Sequence, residues 1–152
     1  MCSSDLVDDV THRSLPVDPS FVLEGQVEGE VRAIFHGLGS DGTVGANKST
    51  IKIIGACTDL FCQAYFVYDS KKAGSLTTSH LRFGPRPIRA STLIQRPTFV
   101  ACHQWDFVGR LDLLAGLVPG GTLLLNSPWS PQEDRKSTRL NSSHTVISYA
   151  VF

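Results

Sequence analysis

The stretch VRAIFHGLGSDGTVGANKSTIKIIG at residues 31–55 decides the fold of this chain. Its first five residues are a short apolar run, which predicts a buried strand. The glycine-rich segment at residues 37–45 predicts a tight turn, and residues 43–54 predict a helix, with Gly55 as its stop. A period of 3.6 residues places four side chains of this helix on one side: Val44, Asn47, Ile51 and Ile54.

Further apolar segments extend this strand–turn–helix unit toward the C-terminus. Residues 64–68 and 75–83 predict two strands, and we expect them to pair antiparallel because the DSKKAG segment between them is too short for a helical crossover. Residues 98–102 predict a strand, residues 107–117 a helix, and residues 122–125 the last strand. This alternation predicts an α/β fold, a truncated three-layer domain with a mostly parallel, mixed sheet.

The composition is that of an ordinary soluble globular protein, 41% hydrophobic and 18% charged. Basic and acidic residues balance at 14 each, which argues against a general nucleic-acid or anionic-membrane binder. Since no apolar run is long enough to span a membrane and no signal peptide is visible, we expect a cytoplasmic protein. The four cysteines form no CxxC pair, so the sequence predicts no metal or iron–sulfur site.

Both ends of the chain resemble translated sequencing adapters. DRKSTRLNSSH at residues 134–144 and ISYAVF at residues 147–152 match one adapter in frame, and MCSSDL at residues 1–6 matches the opposite one. We therefore predict four segments: a non-native end at 1–6, a linker at 7–30, a partial domain at 31–133 and a non-native tail at 134–152. We expect the tail to make few contacts with the domain.

The segment Gly37–Gly42 fits the pattern GxGxxG between a predicted strand and a predicted helix. Glycines let the backbone approach a ligand, and a helix N-terminus offers N–H groups and a positive dipole end to a phosphate. A tight turn without any ligand is the alternative interpretation. Lysines near this turn would suit a ligand with several phosphates, but a solvated helix edge and a charged turn explain them equally well: Lys48, Lys52, Lys71 and Lys72.

The three histidines of the predicted domain lie one per element, at His36, His80 and His103. Each is expected to be a hydrogen-bonded structural residue. Cys102 and His103 suggest a thiol–imidazole pair, but neighbours on a strand point to opposite faces, so a nucleophilic dyad is not expected.

Four blocks in order resemble one enzyme family, the 2-oxoacid:ferredoxin oxidoreductases, and its pyruvate branch most closely. The blocks are FHGLGSDGTVGANKSTIKIIG (35–55), AYFVYDSKKAGSLTTSHLRFGPRPIRASTLI (64–94), FVACHQ (99–104) and PGGTLLLNSPWS (119–130). The resemblance implies a fragment of the gamma or third domain of a pyruvate:ferredoxin (flavodoxin) oxidoreductase. Such an enzyme converts pyruvate and coenzyme A to acetyl-CoA and carbon dioxide, and passes electrons to ferredoxin or flavodoxin.

The same resemblance implies where the cofactors and partners lie. Thiamine diphosphate and iron–sulfur clusters belong to other domains of the parent enzyme, which is expected to be a homodimer, so no catalytic or metal-binding residue is expected here. This domain is expected to contribute to coenzyme A binding. The open alternatives are a stand-alone Rossmann-type NAD module and a scaffold without binding of its own. The residues expected to hold coenzyme A are Gly39, Ser40, Asp41, Gly42, Lys48, Lys52, Lys71 and Lys72.

Overall fold

The computed structural model of the chain describes residues 28–68 and 75–128 in full, and residues 146–150 by their backbone. Lys71 and Lys72, most of the predicted linker and the predicted N-terminal adapter segment lie outside the described residues. The elements are β1 (Val31–Leu38), α1 (Thr43–Cys57), β2 (Phe61–Tyr68), β3 (Leu76–Gly84), β4 (Phe99–Cys102), a 3₁₀ turn (Trp105–Phe107), β5 (Thr122–Asn126) and β6 (Val146–Ala150).

The strands form one mixed sheet in the order β2-β3-β1-β4-β5-β6. Strand β3 lies between β1 and β2 and runs antiparallel to both, while β1, β4, β5 and β6 are parallel neighbours. The predicted mixed α/β sheet and the predicted antiparallel pair are therefore confirmed. Because β1–α1–β2 is a crossover whose strands are separated by β3, the unit is a split β-α-β arrangement.

Helix α1 packs on one face of the sheet through the side predicted for it. Asn47 is buried, and Ile51 and Ile54 are half-buried. The helix runs beyond Gly55 to Cys57, so the predicted stop is wrong; the helix ends where Thr58 turns extended and donates its N–H to Ile54 O. Within the described residues, no helix is both long and apolar enough to cross a membrane.

The opposite face of the sheet is covered by the segment between β4 and β5, which is not the predicted helix. After the 3₁₀ turn it continues as single turns, because Gly109 and Gly116 adopt positive φ values of 87° and 70°. A side chain at Gly116 would collide with the carbonyl of Gln95, so this turn packs backbone against backbone. The core under this segment contains Ile34, Ile94, Val100, Cys102, Phe107, Leu113, Leu123 and Leu125.

The tail contributes a strand, contrary to our expectation of few contacts. Strand β6 pairs with β5 residue by residue, from Thr122 opposite Val146 to Asn126 opposite Ala150. It is an edge strand, and the outer edge of β5 offers a row of backbone N–H and C=O groups that any extended segment can satisfy. Backbone pairing of this kind does not depend on where a segment originates, so the adapter origin of residues 134–152 stays a prediction.

Candidate functional site

The turn from β1 to α1 depends on glycine at two positions. Gly42 caps the helix in the left-handed conformation, with φ of 85°, which a glycine adopts without steric cost. Gly37 lies in β1 under the turn, where an added Cβ would come within 2.8 Å of Thr43 Cβ and 2.9 Å of Asp41 Oδ2. The turn can therefore fold closely over the end of the strand only while residue 37 has no side chain.

The carboxylate of Asp41 holds this turn together. Its Oδ2 accepts a hydrogen bond from Leu38 N at 2.7 Å, and its Oδ1 accepts one from Thr43 N at 2.9 Å. Gln104 Nε2 approaches Oδ2 at 3.4 Å. Burial alone would raise the pKa of Asp41, but the hydrogen bonds from Leu38, Thr43 and Gln104 outweigh it and lower the pKa. The ionised carboxylate of Asp41 therefore accepts the hydrogen bond of the first N–H of the helix, that of Thr43.

A cavity of about 440 Å³ opens beside this turn, at the carboxyl ends of β1 and β2. The first helical hydrogen bond is donated by Ala46 to Gly42 O, so the N–H groups of Val44 and Gly45 precede the helical ladder. They belong to cavity-lining residues and lie at the positive end of the helix dipole. The lining residues are Leu38, Gly39, Ser40, Gly42, Val44, Gly45, Tyr68 and Thr77.

The structure brings together only part of the predicted site. Gly39, Ser40 and Gly42 line the cavity, whereas Asp41 directs its carboxylate back into the turn. Lys48 and Lys52 are exposed on α1 and do not line the cavity. Lys48 Nζ lies 5.5 Å from the centre of the Phe66 ring, a cation–π arrangement.

The predicted site did not include five of the lining residues, which are Leu38, Val44, Gly45, Tyr68 and Thr77. Tyr68 and Thr77 were identifiable in principle. The carboxyl end of β2 and the start of its antiparallel partner β3 meet at the same sheet edge as the end of β1.

Two of the histidines are neighbours, although the sequence placed them in separate elements. His36 Nδ1 lies 3.3 Å from Thr78 Oγ1, and His80 Nδ1 accepts a hydrogen bond from Ile94 N at 3.3 Å. Burial, and then the charge of the nearby His80, lower the pKa of His36 to about 4. Both side chains are therefore hydrogen-bonded, as predicted, and the lowered pKa leaves His36 neutral at pH 7.

Cys102 is a buried thiol that donates to Gln104 O at 3.1 Å, and burial raises its pKa despite that bond. A raised pKa keeps the sulfur protonated and poorly nucleophilic. His103 stacks instead on Phe35, with ring centres 6.4 Å apart and planes 16° apart. The two side chains therefore do not form a thiol–imidazole pair.

Two solved structures with a similar fold are 2-oxoacid oxidoreductases or their subunits. A pyruvate oxidoreductase subunit from Thermotoga maritima superposes with a TM-score of 0.64 at 20% identity, over 81% of this chain and 62% of that one. A 2-oxoglutarate:ferredoxin oxidoreductase from Magnetococcus marinus, solved with 2-oxoglutarate, coenzyme A and succinyl-CoA bound, gives 0.57 at 10% identity, over 80% of this chain and 20% of that one. The fold is thus that of gamma-type domains of 2-oxoacid oxidoreductases.

Sequence comparison identifies the family within that class. The family model for pyruvate ferredoxin/flavodoxin oxidoreductase matches residues 32–148. A putative pyruvate-flavodoxin oxidoreductase of Synechocystis sp. is 59% identical over 126 residues, which are 83% of this chain and 10% of that protein. The chain belongs to the pyruvate ferredoxin/flavodoxin oxidoreductase family, as its sequence blocks predicted. It spans about a tenth of the length of this relative.

Proposed function

We propose that this chain is the part of a pyruvate:ferredoxin (flavodoxin) oxidoreductase that helps to hold coenzyme A. The parent enzyme would oxidatively decarboxylate pyruvate with coenzyme A to acetyl-CoA and carbon dioxide, in the cytoplasm and as a homodimer. Ferredoxin or flavodoxin would take the electrons. The observation that carries the proposal is the cavity between Ser40 and Gly45, where the glycine-rich turn meets the N-terminus of α1.

The size of the cavity suits part of coenzyme A. About 440 Å³ lies at the lower end of the volumes of small-molecule sites. Coenzyme A is long, so the cavity would take one portion while the thiol end continues toward another domain. Backbone N–H groups of Val44 and Gly45 suit a phosphate oxygen, and the side chains of Leu38 and Tyr68 suit an apolar portion.

The charge of Asp41 restricts where a phosphate would lie. The carboxylate already accepts the N–H of Thr43, and a phosphate at the same position would meet a like charge. The ligand would therefore use the cavity side of the helix end, beside Val44 and Gly45. Lys48 and Lys52 would then act at longer range, as screened charges around the phosphates. Lys71 and Lys72 stay candidates from the sequence for the same role.

A stand-alone NAD module has less support. In a dinucleotide-binding unit the two strands of the β-α-β crossover are usually adjacent and parallel, so that the second strand ends beside the glycine turn. Here β3 lies between β1 and β2 and is antiparallel to both. The carboxyl end of β2 is therefore one strand further from the turn than a ribose-binding acidic residue requires.

The cofactors of the parent reaction would lie on other domains. Thiamine diphosphate would supply the carbanion chemistry of decarboxylation, and iron–sulfur clusters would carry the electrons. The described residues contain no group of three His, Cys, Asp or Glu side chains placed to share a metal. Cys57 is exposed on α1, whereas Cys102 is buried and donates to a carbonyl, so these thiols do not fit a cluster. We expect the isolated chain to show no pyruvate-dependent reduction of ferredoxin, and any such activity would contradict the proposal.

A charge placed in the cavity tests the coenzyme A site. In a full-length enzyme carrying this sequence, Gly45→Asp puts a carboxylate beside the proposed phosphate position, where the added Cβ has nothing within 4 Å. An acidic residue in the first helical turn favours the helix dipole, so the fold should persist. We expect the KM for coenzyme A to rise about tenfold, since 1.4 kcal/mol of repulsion is one decade, and the KM for pyruvate to stay unchanged.

Gly55→Asp is the matched control for this test. Gly55 lies on the same helix with the same open space, but it does not line the cavity. It should leave both KM values near those of the parent. If the two variants raise the KM for coenzyme A equally, the helix acts only through its overall charge, and if neither does, the cavity is not the site.

A further inference from the structure

Arg32 is a buried cation, and two of its guanidinium nitrogens have no hydrogen-bond partner among the described residues. It lies in β1 with 4% of its surface exposed, and neither Nε nor Nη1 has a hydrogen-bond acceptor. Its backbone is fixed, because Arg32 N donates to Thr98 Oγ1 at 3.0 Å and Thr98 N donates to Arg32 O at 2.8 Å. A guanidinium cannot lose its proton under ordinary conditions. The side chain therefore carries its charge with Nε and Nη1 buried and without an acceptor among the described residues.

A second buried arginine increases the positive charge around this position. Arg82 in β3 is the direct cross-strand partner of Arg32 and is only 3% exposed. Its Nη1 donates to Gln63 Oε1 at 3.3 Å. Like charges directly opposite one another destabilise a pair of strands. The buried charge of Arg32, two of whose nitrogens have no acceptor among the described residues, creates a potential that attracts an anion.

Arg32 lines a cavity of about 580 Å³ at the amino ends of β1 and β4, at the opposite end of these strands from the proposed coenzyme A site. Arg96 adds a second cation to its wall, and Glu28 and Glu30 add carboxylates. Neither glutamate accepts a hydrogen bond from Arg32 Nε or Nη1. The remaining lining residues are Thr98, Val118 and Pro119.

We infer that this cavity binds a carboxylate, held by the guanidinium of Arg32. A guanidinium offers paired N–H donors in a planar fork that matches the two oxygens of a carboxylate. A single negative charge balances Arg32, whereas a phosphate dianion would be repelled by Glu28 and Glu30. The carboxylate is either an Asp or Glu side chain from another part of the enzyme or a free small acid, and the chemistry of recognition is the same.

Thermal unfolding of the 152-residue chain in acetate tests the site. At an acetate concentration about ten times Kd, the Tm should rise by roughly 5 °C relative to chloride of equal ionic strength. Inorganic phosphate should raise the Tm less than acetate. Arg32→Met removes the unpaired buried charge while keeping an unbranched side chain, so its Tm in chloride should exceed that of the parent chain and should not respond to acetate. The exposed Arg86→Met should respond to acetate like the parent.

The same variants in a full-length enzyme distinguish the two sources. If a side chain of the enzyme fills the cavity, Arg32→Met lowers the Tm of the full-length protein and acetate leaves the parent Tm unchanged. If a free acid fills it, acetate raises the Tm of the full-length parent and not that of Arg32→Met. The inference is overturned if acetate stabilises the 152-residue parent no more than chloride does. This readout needs only the parent chain, so it decides the question even if Arg32→Met does not fold.

Discussion

Acid should lower the stability of the folded chain through protonation of His36. The pKa of His36 is lowered from 6.5 to about 4, first by burial and then by the neighbouring His80. A histidine with a lowered pKa stabilises the folded chain as a neutral group. That stability is complete above pH 6.5 and is lost as the pH falls toward 4, because the unfolded chain takes up the proton first.

The size of the effect follows from the two pKa values. Each pKa step corresponds to about 1.4 kcal/mol, so full protonation costs the folded chain about 3 kcal/mol. Between pH 8 and pH 5 the loss should be about 2 kcal/mol. Such a loss is a large share of the stability of an ordinary domain.

Urea unfolding at a series of pH values, followed by circular dichroism, measures this loss. The parent chain should lose about 2 kcal/mol of unfolding free energy between pH 8 and pH 5. His36→Gln keeps a polar side chain next to Thr78 Oγ1 and has no proton to gain, so its loss over the same range should be smaller by about that amount. Equal losses in the parent and in His36→Gln would refute the assignment of the acid sensitivity to His36.

The remaining predictions concern the turn and the helix. Gly37→Ala should destabilise the chain by about 1–3 kcal/mol, because the added Cβ would lie 2.9 Å from Asp41 Oδ2. Gly55→Ala has open space around its Cβ inside α1, so it should stabilise the chain by about 0.5–1 kcal/mol in the same denaturant assay. Asp41→Asn should lower the free energy of unfolding by about 1 kcal/mol at pH 7. This difference from the parent should disappear in acid, because the parent carboxylate has a lowered pKa and becomes protonated below pH 3.8. In a full-length enzyme, the double variant Lys48→Ala with Lys52→Ala should raise the KM for coenzyme A by about two- to threefold, since two exposed charges at longer range together contribute roughly 0.5 kcal/mol. An unchanged value would mean that the lysines only solvate the helix.

The order of local elements was predictable because it depends on neighbours in the sequence. A short apolar run, a glycine turn and a helical period follow one another between residues 31 and 54, and the structure has β1, the turn and α1 in the same places. The antiparallel pairing of β2 with β3 followed from a connection too short for a crossover. The family followed from long blocks in order, which the comparisons confirm.

Other features depend on contacts between residues that are distant in the chain. Leucines at helical spacing favoured a helix after Phe107, but the approach of Gly116 to the Gln95 carbonyl forces a left-handed turn there. Strand alternation alone did not indicate that β3 would lie between β1 and β2, because strand order depends on which edges are free when the elements assemble. The edge pairing of β6 has the same origin, since it uses backbone groups that every residue carries.

The sequence by itself determined the fold class, the β1–turn–α1 unit and the family, all of which follow from local pattern and ordered blocks. Only the tertiary structure decided the environment of individual charges. In it Asp41 accepts hydrogen bonds within the turn, His36 lies beside His80, and Arg32 is buried opposite Arg82. The physical reason is that burial and electrostatic interaction depend on distances across the sheet, and a linear sequence does not contain those distances.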